Sequence, residues 1–136
     1  MTVDELAVLH AKCFTEPRPW SADEFGDLLE SNACFICSID HGFAIGRIAG
    51  PEVELLTIAV DPDYRRQGLA HQLMEAFEAK AKANNVEDAF LEVAENNRAA
   101  IALYESFGFT EKGMRKNYYA SPTGPRITAL VMGKTF

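Results

Sequence analysis

The loop around Gly68 is the first part of the sequence whose residue types could bind a ligand. Residues 53–60, V-E-L-L-T-I-A-V, have the apolar, β-branched composition of a strand, and apolar residues recur at helical intervals from Leu69 onward. A helix that begins after such a loop directs free backbone N–H groups and the positive end of its dipole at an anion. Arg65 and Arg66 can add charge-assisted hydrogen bonds, and a glycine lets the backbone come close to a ligand. These residues predict a phosphate-binding loop, with a basic turn before an ordinary core helix as the alternative.

Two side chains farther along the chain could move protons. Glu92 is the one polar residue in the apolar segment 89–94, A-F-L-E-V-A, and a carboxylate at a strand end can take a proton from an amine, directly or through water. Tyr104 belongs to the inner stripe of the helix after Asn97, where its hydroxyl could protonate a leaving group. The alternatives are a Glu92 that pairs structurally with a lysine or arginine and a Tyr104 that only fills the core.

The loop lacks both common phosphate signatures, G-x-x-x-x-G-K-[ST] and G-x-G-x-x-G. Its sequence from Arg65 to Ala70, R-R-Q-G-L-A, resembles the [QR]-x-x-G-x-[GA] signature of the GNAT acetyltransferases. The preceding I-A-V-D-P, which starts at Ile58, is similar to the same family, as is L-E-V-A-E-N-N-R-A-A-I-A-L-Y-E-S-F-G-F, Leu91 to Phe109. The resemblance covers roughly residues 4–134.

This resemblance implies how each part of the site works. Acetyl-CoA is the acetyl donor; its pantetheine arm pairs with the backbone of strand 53–60 like an added strand, and its pyrophosphate lies on the glycine loop. The implied donor-binding residues are Ile58, Ala59, Val60, Arg65, Arg66, Gln67, Gly68, Leu69, Ala70, His71 and Asn97. Glu92 is implied as the general base and Tyr104 as the general acid, with no metal. The alternative is a module that binds acetyl-CoA without catalysis, and such a module would need neither Glu92 nor Tyr104.

Two short motifs resemble one subgroup of the family, the enzymes that acetylate N-termini of ribosomal proteins. They are K-N-Y-Y at Lys116 to Tyr119 and P-W-S at Pro19 to Ser21. The subgroup implies an acceptor that is the N-terminal alanine amine of a basic ribosomal protein, with Tyr118 and Tyr119 in the acceptor groove. Ile127 and Thr128 stand where the subgroup tends to carry an acidic pair. A polyamine, an aminoglycoside or a lysine side chain is the alternative acceptor.

The elements that must position these residues follow the order α-α-β-β-β-α-β-α-β-β. Capping boxes at Thr2 and Ser21 begin the first two helices, and Trp20 with Phe25 forms a hydrophobic staple. The predicted helices cover residues 3–13, Ser21 through Leu29, Leu69 to about 83, and a last one that is capped by Asn96 or Asn97 and stops at Gly108. The predicted strands cover 33–39, 43–49, 53–60, 89–94, 114–119 and 127–133. This order indicates an α/β (α+β) fold with a mixed sheet flanked by helices. The resemblance implies a GNAT fold without its usual first strand.

Composition and net charge limit the classes of partner that the protein can bind. The 136 residues, 48% hydrophobic and 24% charged, fit a single domain, residues 1–136. The net charge of −7 opposes binding to nucleic acid, which needs a basic surface, and suits a basic acceptor. No apolar run reaches about 18 residues and the N-terminus is acidic, so we expect no membrane contact and a cytoplasmic location. We expect free thiols at Cys13, Cys34 and Cys37 and no metal site at His10, His41 or His71.

Overall fold

The computed structural model describes residues 1–14, 18–119 and 124–136. These residues form four α-helices and six strands in the order predicted from the sequence. The helices are α1 (Val3–Cys13), α2 (Ala22–Glu30), α3 (Leu69–Ala83) and α4 (Arg98–Ser106). The strands are β1 (Cys34–Ile39), β2 (Gly42–Ala49), β3 (Glu52–Val60), β4 (Asp88–Ala94), β5 (Thr110–Tyr119) and β6 (Ile127–Thr135).

Helices α1 and α2 begin as the sequence predicts. The Thr2 hydroxyl accepts from the Glu5 N–H and the Glu5 carboxylate accepts from the Thr2 N–H; Ser21 and Glu24 repeat this arrangement. The rings of Trp20 and Phe25 lie 5.4 Å apart, as the hydrophobic staple requires. Within the described ranges, none of the helices is both long and apolar enough to cross a membrane.

The six strands form one mixed sheet in the order β1-β2-β3-β4-β6-β5. Only the central pair, β3 with β4, is parallel, and the chain reaches β4 from β3 through helix α3. All other neighbours are antiparallel. The predicted mixed sheet with flanking helices is confirmed, and in the described residues α1 comes before any strand.

The two central strands separate along their length. Their pairing runs from Glu52 beside Asp88 to Leu55 beside Leu91 and ends there, although β3 continues to Val60 and β4 to Ala94. Each strand keeps its outer neighbour over this stretch, β2 beside β3 and β6 beside β4. The sheet therefore opens into a V between the carboxyl ends of its two parallel strands, the place where open α/β sheets bind ligands.

Apolar residues pack on both faces of the sheet. On one face α3 buries Leu73, Met74 and Phe77 beside Tyr104 of α4. On the other face α1 and α2 bury Leu6, Leu9 and Phe25 against β2. Full burial of one such side chain is worth about 1.5–3 kcal/mol, so these two layers hold the helices on either side of the V.

Strand β5 is the element whose bounds the sequence predicted least well. It begins at Thr110 rather than at residue 114, and every residue before Tyr119 is exposed. Its pairing with β6 also shifts register between Glu111 and Gly113. An exposed edge strand of this kind has no apolar alternation for a sequence pattern to detect. The stretch A-S-P-T-G-P at residues 120–125, whose composition predicts the turn between the last two strands, lies mostly outside the described residues.

Candidate active site

A cleft of about 630 Å³ lies at the open end of the V. The carboxyl half of β3 forms one wall, and the first turns of α3 and α4 form the others. All donor-binding residues predicted from the sequence except Gln67 line it: Ile58, Ala59, Val60, Arg65, Arg66, Gly68, Leu69, Ala70, His71 and Asn97. Gln67 is exposed and lies outside the cleft lining.

The start of α3 differs from the starts of the other α-helices. Side chains cap α1, α2 and α4 at Thr2, Ser21 and Asn97, but α3 begins at Gly68 with no side-chain cap. The first N–H of α3 with an intrahelical partner is that of Gln72, which donates to the Gly68 carbonyl. The backbone N–H groups just before Gln72 belong to residues that line the cleft. An anion in the cleft can accept hydrogen bonds from them.

Two residues of this loop adopt left-handed backbone conformations. Gly68 has φ 75° and Arg66 has φ 65°, a conformation that costs a residue with a Cβ about 1–2 kcal/mol. A Cβ placed on Gly68 would have no protein atom within 4 Å. The glycine is therefore required by the backbone turn and not by crowding, and the space beside it is open to a ligand.

The β3 edge that faces β4 is a second binding feature of the cleft. Beyond Leu55, no strand in the described part of the chain covers this edge. Ile58, Ala59 and Val60 lie along it and also line the cleft. Their backbone can accept an extended ligand as an added strand, as the sequence analysis expected for the pantetheine arm.

A smaller cavity of about 110 Å³ adjoins the cleft deeper in the V. Ile58, Asn97 and Tyr104 are among the residues that border both spaces, so the cleft and the cavity adjoin there. Glu92 of β4 lines only the smaller cavity, together with Trp20 and Thr57. The structure thus brings the predicted base, the predicted acid and the P-W-S tryptophan to one place.

Glu92 and Tyr104 differ in their surroundings. Glu92 is partly exposed, and its carboxylate lies 3.2 Å from the Arg115 guanidinium on β5. Tyr104 is 6% exposed, and burial, with the nearby Tyr119, raises the pKa of its hydroxyl well above the usual value. Tyr119 is half-buried near Glu92, and burial together with the Glu92 charge raises its pKa to about 12. Both tyrosines therefore stay protonated near neutral pH.

Sequence reasoning missed several residues of these cavities. Phe14, Tyr64, Asn96, Ala99 and Leu103 line the large cleft. His10 and Thr57 line the small cavity and are buried, with His10 Nε2 3.0 Å from Thr57 Oγ1. The sequence signals for His10 and Thr57 were weak. His10 is a histidine on the apolar face of a helix, and Thr57 is a threonine in an apolar strand.

Two other features lie apart from this site. The cavity of about 720 Å³ between α1 and the β1–β2 turn contains none of the predicted site residues. Within the described residues, no group of three or more histidine, cysteine or acidic side chains is arranged to hold a metal. Cys13, Cys34 and Cys37 are free thiols.

The sequence matches a known protein family over most of its length. The model of the Acetyltransferase (GNAT) family matches residues 3–109. The chain belongs to this family. It is a GNAT acyltransferase with the strands, loop and helices of that fold around the open V.

Named relatives within the family are bacterial acetyltransferases. The chain is 38% identical over 135 residues to the ribosomal protein bS18-alanine N-acetyltransferase of Escherichia coli K12, covering 96% of this chain and 90% of the relative. It is 34% identical to the enzyme of that name from Haemophilus ducreyi, over 84% and 81% of the two chains. The crystal structure of the Escherichia coli ribosomal-protein-S18-alanine N-acetyltransferase superposes with a TM-score of 0.88 at 33% identity, covering 98% of this chain and 86% of that one.

Proposed function

We propose that this GNAT enzyme transfers the acetyl group of acetyl-CoA to the N-terminal α-amine of alanine in a ribosomal protein. Glu92 is the general base and Tyr104 the general acid. The observation that carries the proposal is the position of these two groups in a small cavity that adjoins an anion-binding cleft. The names of the relatives support ribosomal protein bS18 as the acceptor, which the enzyme would meet in the cytoplasm.

The large cleft fits the donor. The uncapped N-terminus of α3 and the side chains of Arg65 and Arg66 hold the pyrophosphate by charge-assisted hydrogen bonds. The free edge of β3 along residues 58–60 holds the amide-containing arm. A donor bound in this way runs along β3 toward Tyr104, where the cleft and the small cavity meet.

Glu92 prepares the acceptor. An amine arrives as an ammonium ion near neutral pH and can attack a thioester only after it loses a proton. The Glu92 carboxylate accepts this proton, directly or through water. Its ion pair with Arg115 does not prevent this role, because Arg115 is half exposed and a surface pair of this kind contributes at most about 1 kcal/mol. An incoming ammonium ion can replace the guanidinium.

Tyr104 completes the transfer. When the amine nitrogen has bonded to the acetyl carbon, the carbon–sulfur bond breaks and CoA leaves as a thiolate that needs a proton. The Tyr104 hydroxyl carries its proton near neutral pH, as tyrosine ordinarily does, and it borders both the large cleft and the small cavity. It can donate to the thiolate from that position, and the proton that the nitrogen loses as it becomes an amide can return to the tyrosine oxygen, directly or through water.

Charge and basicity favour a protein N-terminus over a lysine side chain. The ordinary pKa is near 8 for an α-amine and about 10.4 for lysine, so deprotonation of lysine costs roughly 3 kcal/mol more near neutral pH. The net charge of −7 attracts a basic protein over long distances and raises the encounter rate. Both effects suit the α-amine of a ribosomal protein.

The acceptor is tested with two synthetic peptides that carry the N-terminal sequence of ribosomal protein bS18. One has a free N-terminal alanine; the other is blocked at its N-terminus and carries one internal lysine. Mass spectrometry after incubation with acetyl-CoA should show faster acetylation of the free alanine. Equal or faster acetylation of lysine, or of free polyamines, would contradict the N-terminal acceptor.

The base is tested in the same assay with Glu92→Gln. We expect kcat/KM for the alanine peptide to fall by roughly 10²-fold or more and to rise less steeply with pH. Glu95→Gln is the matched control, because Glu95 is exposed and lies outside both cavities. A Glu92→Gln enzyme with the rate and pH profile of the Glu95→Gln enzyme would show that Glu92 is not the base.

A further inference from the structure

Thr57 is a polar side chain in a strand that is otherwise apolar around it. It is buried, it lines the small cavity, and its Oγ1 lies 3.0 Å from His10 Nε2. His10 comes from α1 and is itself only 2% exposed, with its ring stacked on Trp20. A buried hydrogen-bonded pair from two elements far apart in the chain therefore forms part of the cavity wall.

The backbone of Trp20 fixes which nitrogen of His10 carries the proton. The Trp20 N–H donates to His10 Nδ1 over 3.0 Å. A backbone N–H can only donate, so Nδ1 is unprotonated and the proton of the neutral ring is on Nε2. Burial lowers the pKa of His10 to about 4, so the ring is neutral at physiological pH. Nε2–H therefore donates to the Thr57 hydroxyl oxygen.

This arrangement leaves Thr57 with a proton to donate. A hydroxyl has one donor and two acceptor sites, and His10 uses one of the acceptor sites. Among residues 1–14, 18–119 and 124–136, His10 is the single hydrogen-bond partner of Thr57 Oγ1. The cavity is thus lined by a hydroxyl whose acceptor side is occupied and whose donor side is free.

The small cavity adjoins the position proposed for the acceptor amine, because Glu92 and Thr57 both line it. The α-amine and the first side chain are bonded to the same carbon, so the first side chain of an acceptor whose amine lies beside Glu92 can enter the space that Thr57 lines. A volume of about 110 Å³ corresponds to roughly three or four water molecules. A small side chain fits in this volume.

We propose that Thr57, held by His10, is a specificity-determining residue that extends the acceptor range to N-terminal serine and raises the preference for serine relative to alanine. The inference rests on the proposed function. The Thr57 hydroxyl donates its proton to the side-chain oxygen of a first-position serine. An alanine methyl group offers no acceptor and leaves this donor without a partner.

The test is a double-mutant cycle between the enzyme and its acceptor. Two peptides that differ only in alanine or serine at the first position are assayed with the native enzyme and with Thr57→Val, which has nearly the same shape but no hydroxyl. We expect the serine-to-alanine ratio of kcat/KM to be roughly 3- to 10-fold higher for the native enzyme than for Thr57→Val, the range for one neutral hydrogen bond. Thr57→Ser should restore the native ratio.

Each outcome of the cycle decides the inference. The same serine-to-alanine ratio in the native enzyme and in a folded Thr57→Val variant would overturn it, as would an unequal ratio that Thr57→Ser does not restore. If circular dichroism shows that Thr57→Val does not fold, Thr57→Ala removes the same hydroxyl and takes its place in the cycle. If the proposed function itself is wrong, the native enzyme will acetylate neither peptide, which distinguishes that result from an unchanged serine-to-alanine ratio.

Discussion

Tyr104 has the position that the proposed proton donor needs. It borders both the large cleft and the small cavity, and a tyrosine hydroxyl carries its proton near neutral pH. A tyrosine that only filled the core would not need this position. The two roles can be separated by removing the oxygen and keeping the ring.

Tyr104→Phe should therefore lower kcat by roughly 10²-fold and leave the affinity for acetyl-CoA nearly unchanged. Steady-state kinetics with the alanine peptide and calorimetry with acetyl-CoA measure the two quantities. Tyr64→Phe is the control, because Tyr64 lines the large cleft but not the small cavity. A Tyr104→Phe enzyme with native kcat, under conditions where chemistry limits the rate, would reduce Tyr104 to a packing residue.

The sequence could indicate Glu92 because it is the one polar residue of an apolar segment, and Tyr104 because the segment that contains it resembles the GNAT family. Thr57 and His10 do not stand out in this way. Their hydrogen bond joins residues 47 positions apart, and the role of His10 depends on a backbone N–H from a loop. Neither periodicity nor spacing contains that information, because it arises only when α1, the loop and β3 pack together.

At the scale of elements, the start of α3 carries the proposed donor site. Gly68 supports a left-handed turn with open space beside it, and the helix has no side-chain cap of its own. The strand–loop–helix order was predictable from local patterns. The open V was not, because the apolar run of β3 looks the same whether or not β4 pairs with its full length.

Gly68→Val should weaken acetyl-CoA binding by about tenfold or more, because the branched side chain would occupy the space beside the phosphate-binding N–H groups. A valine at the positive φ of position 68 also lowers the folding stability by about 1–2 kcal/mol. Gly50→Val separates the two effects, since Gly50 has φ 59° with equally open surroundings and lies in the β2–β3 turn, away from the cleft. Calorimetry should find lost affinity in the Gly68 variant alone. Equal affinities in both folded variants would remove the phosphate site from this loop.

At the scale of the whole molecule, His10 links folding stability to pH. Burial lowers its pKa to about 4 from an ordinary value of 6.5, so the unfolded chain takes up the proton first as the pH falls. The stabilisation is complete above pH 6.5 and is lost progressively between pH 6.5 and about pH 4, where folded His10 also becomes protonated.

We expect the free energy of unfolding to fall by about 2 kcal/mol between pH 7 and pH 5 through His10 alone. Urea titrations of the native protein and of His10→Gln at both pH values measure the contribution of His10 to this decrease. Glutamine does not titrate, and all other titratable groups are common to both proteins. The native protein should show the larger decrease. Parallel pH dependence in the two proteins would mean that His10 titrates normally in the folded state.

The open V also bears on how the molecule avoids unwanted association. A free strand edge usually invites another chain to add to the sheet, which makes exposed edges a starting point for aggregation. Here the free edge of β3 is internal, because α1 and α2 pack over one face of the sheet and α3 and α4 over the other. The gap is therefore a slot between two layers of helices. It admits a slender, amide-containing molecule and denies entry to a second β-sheet.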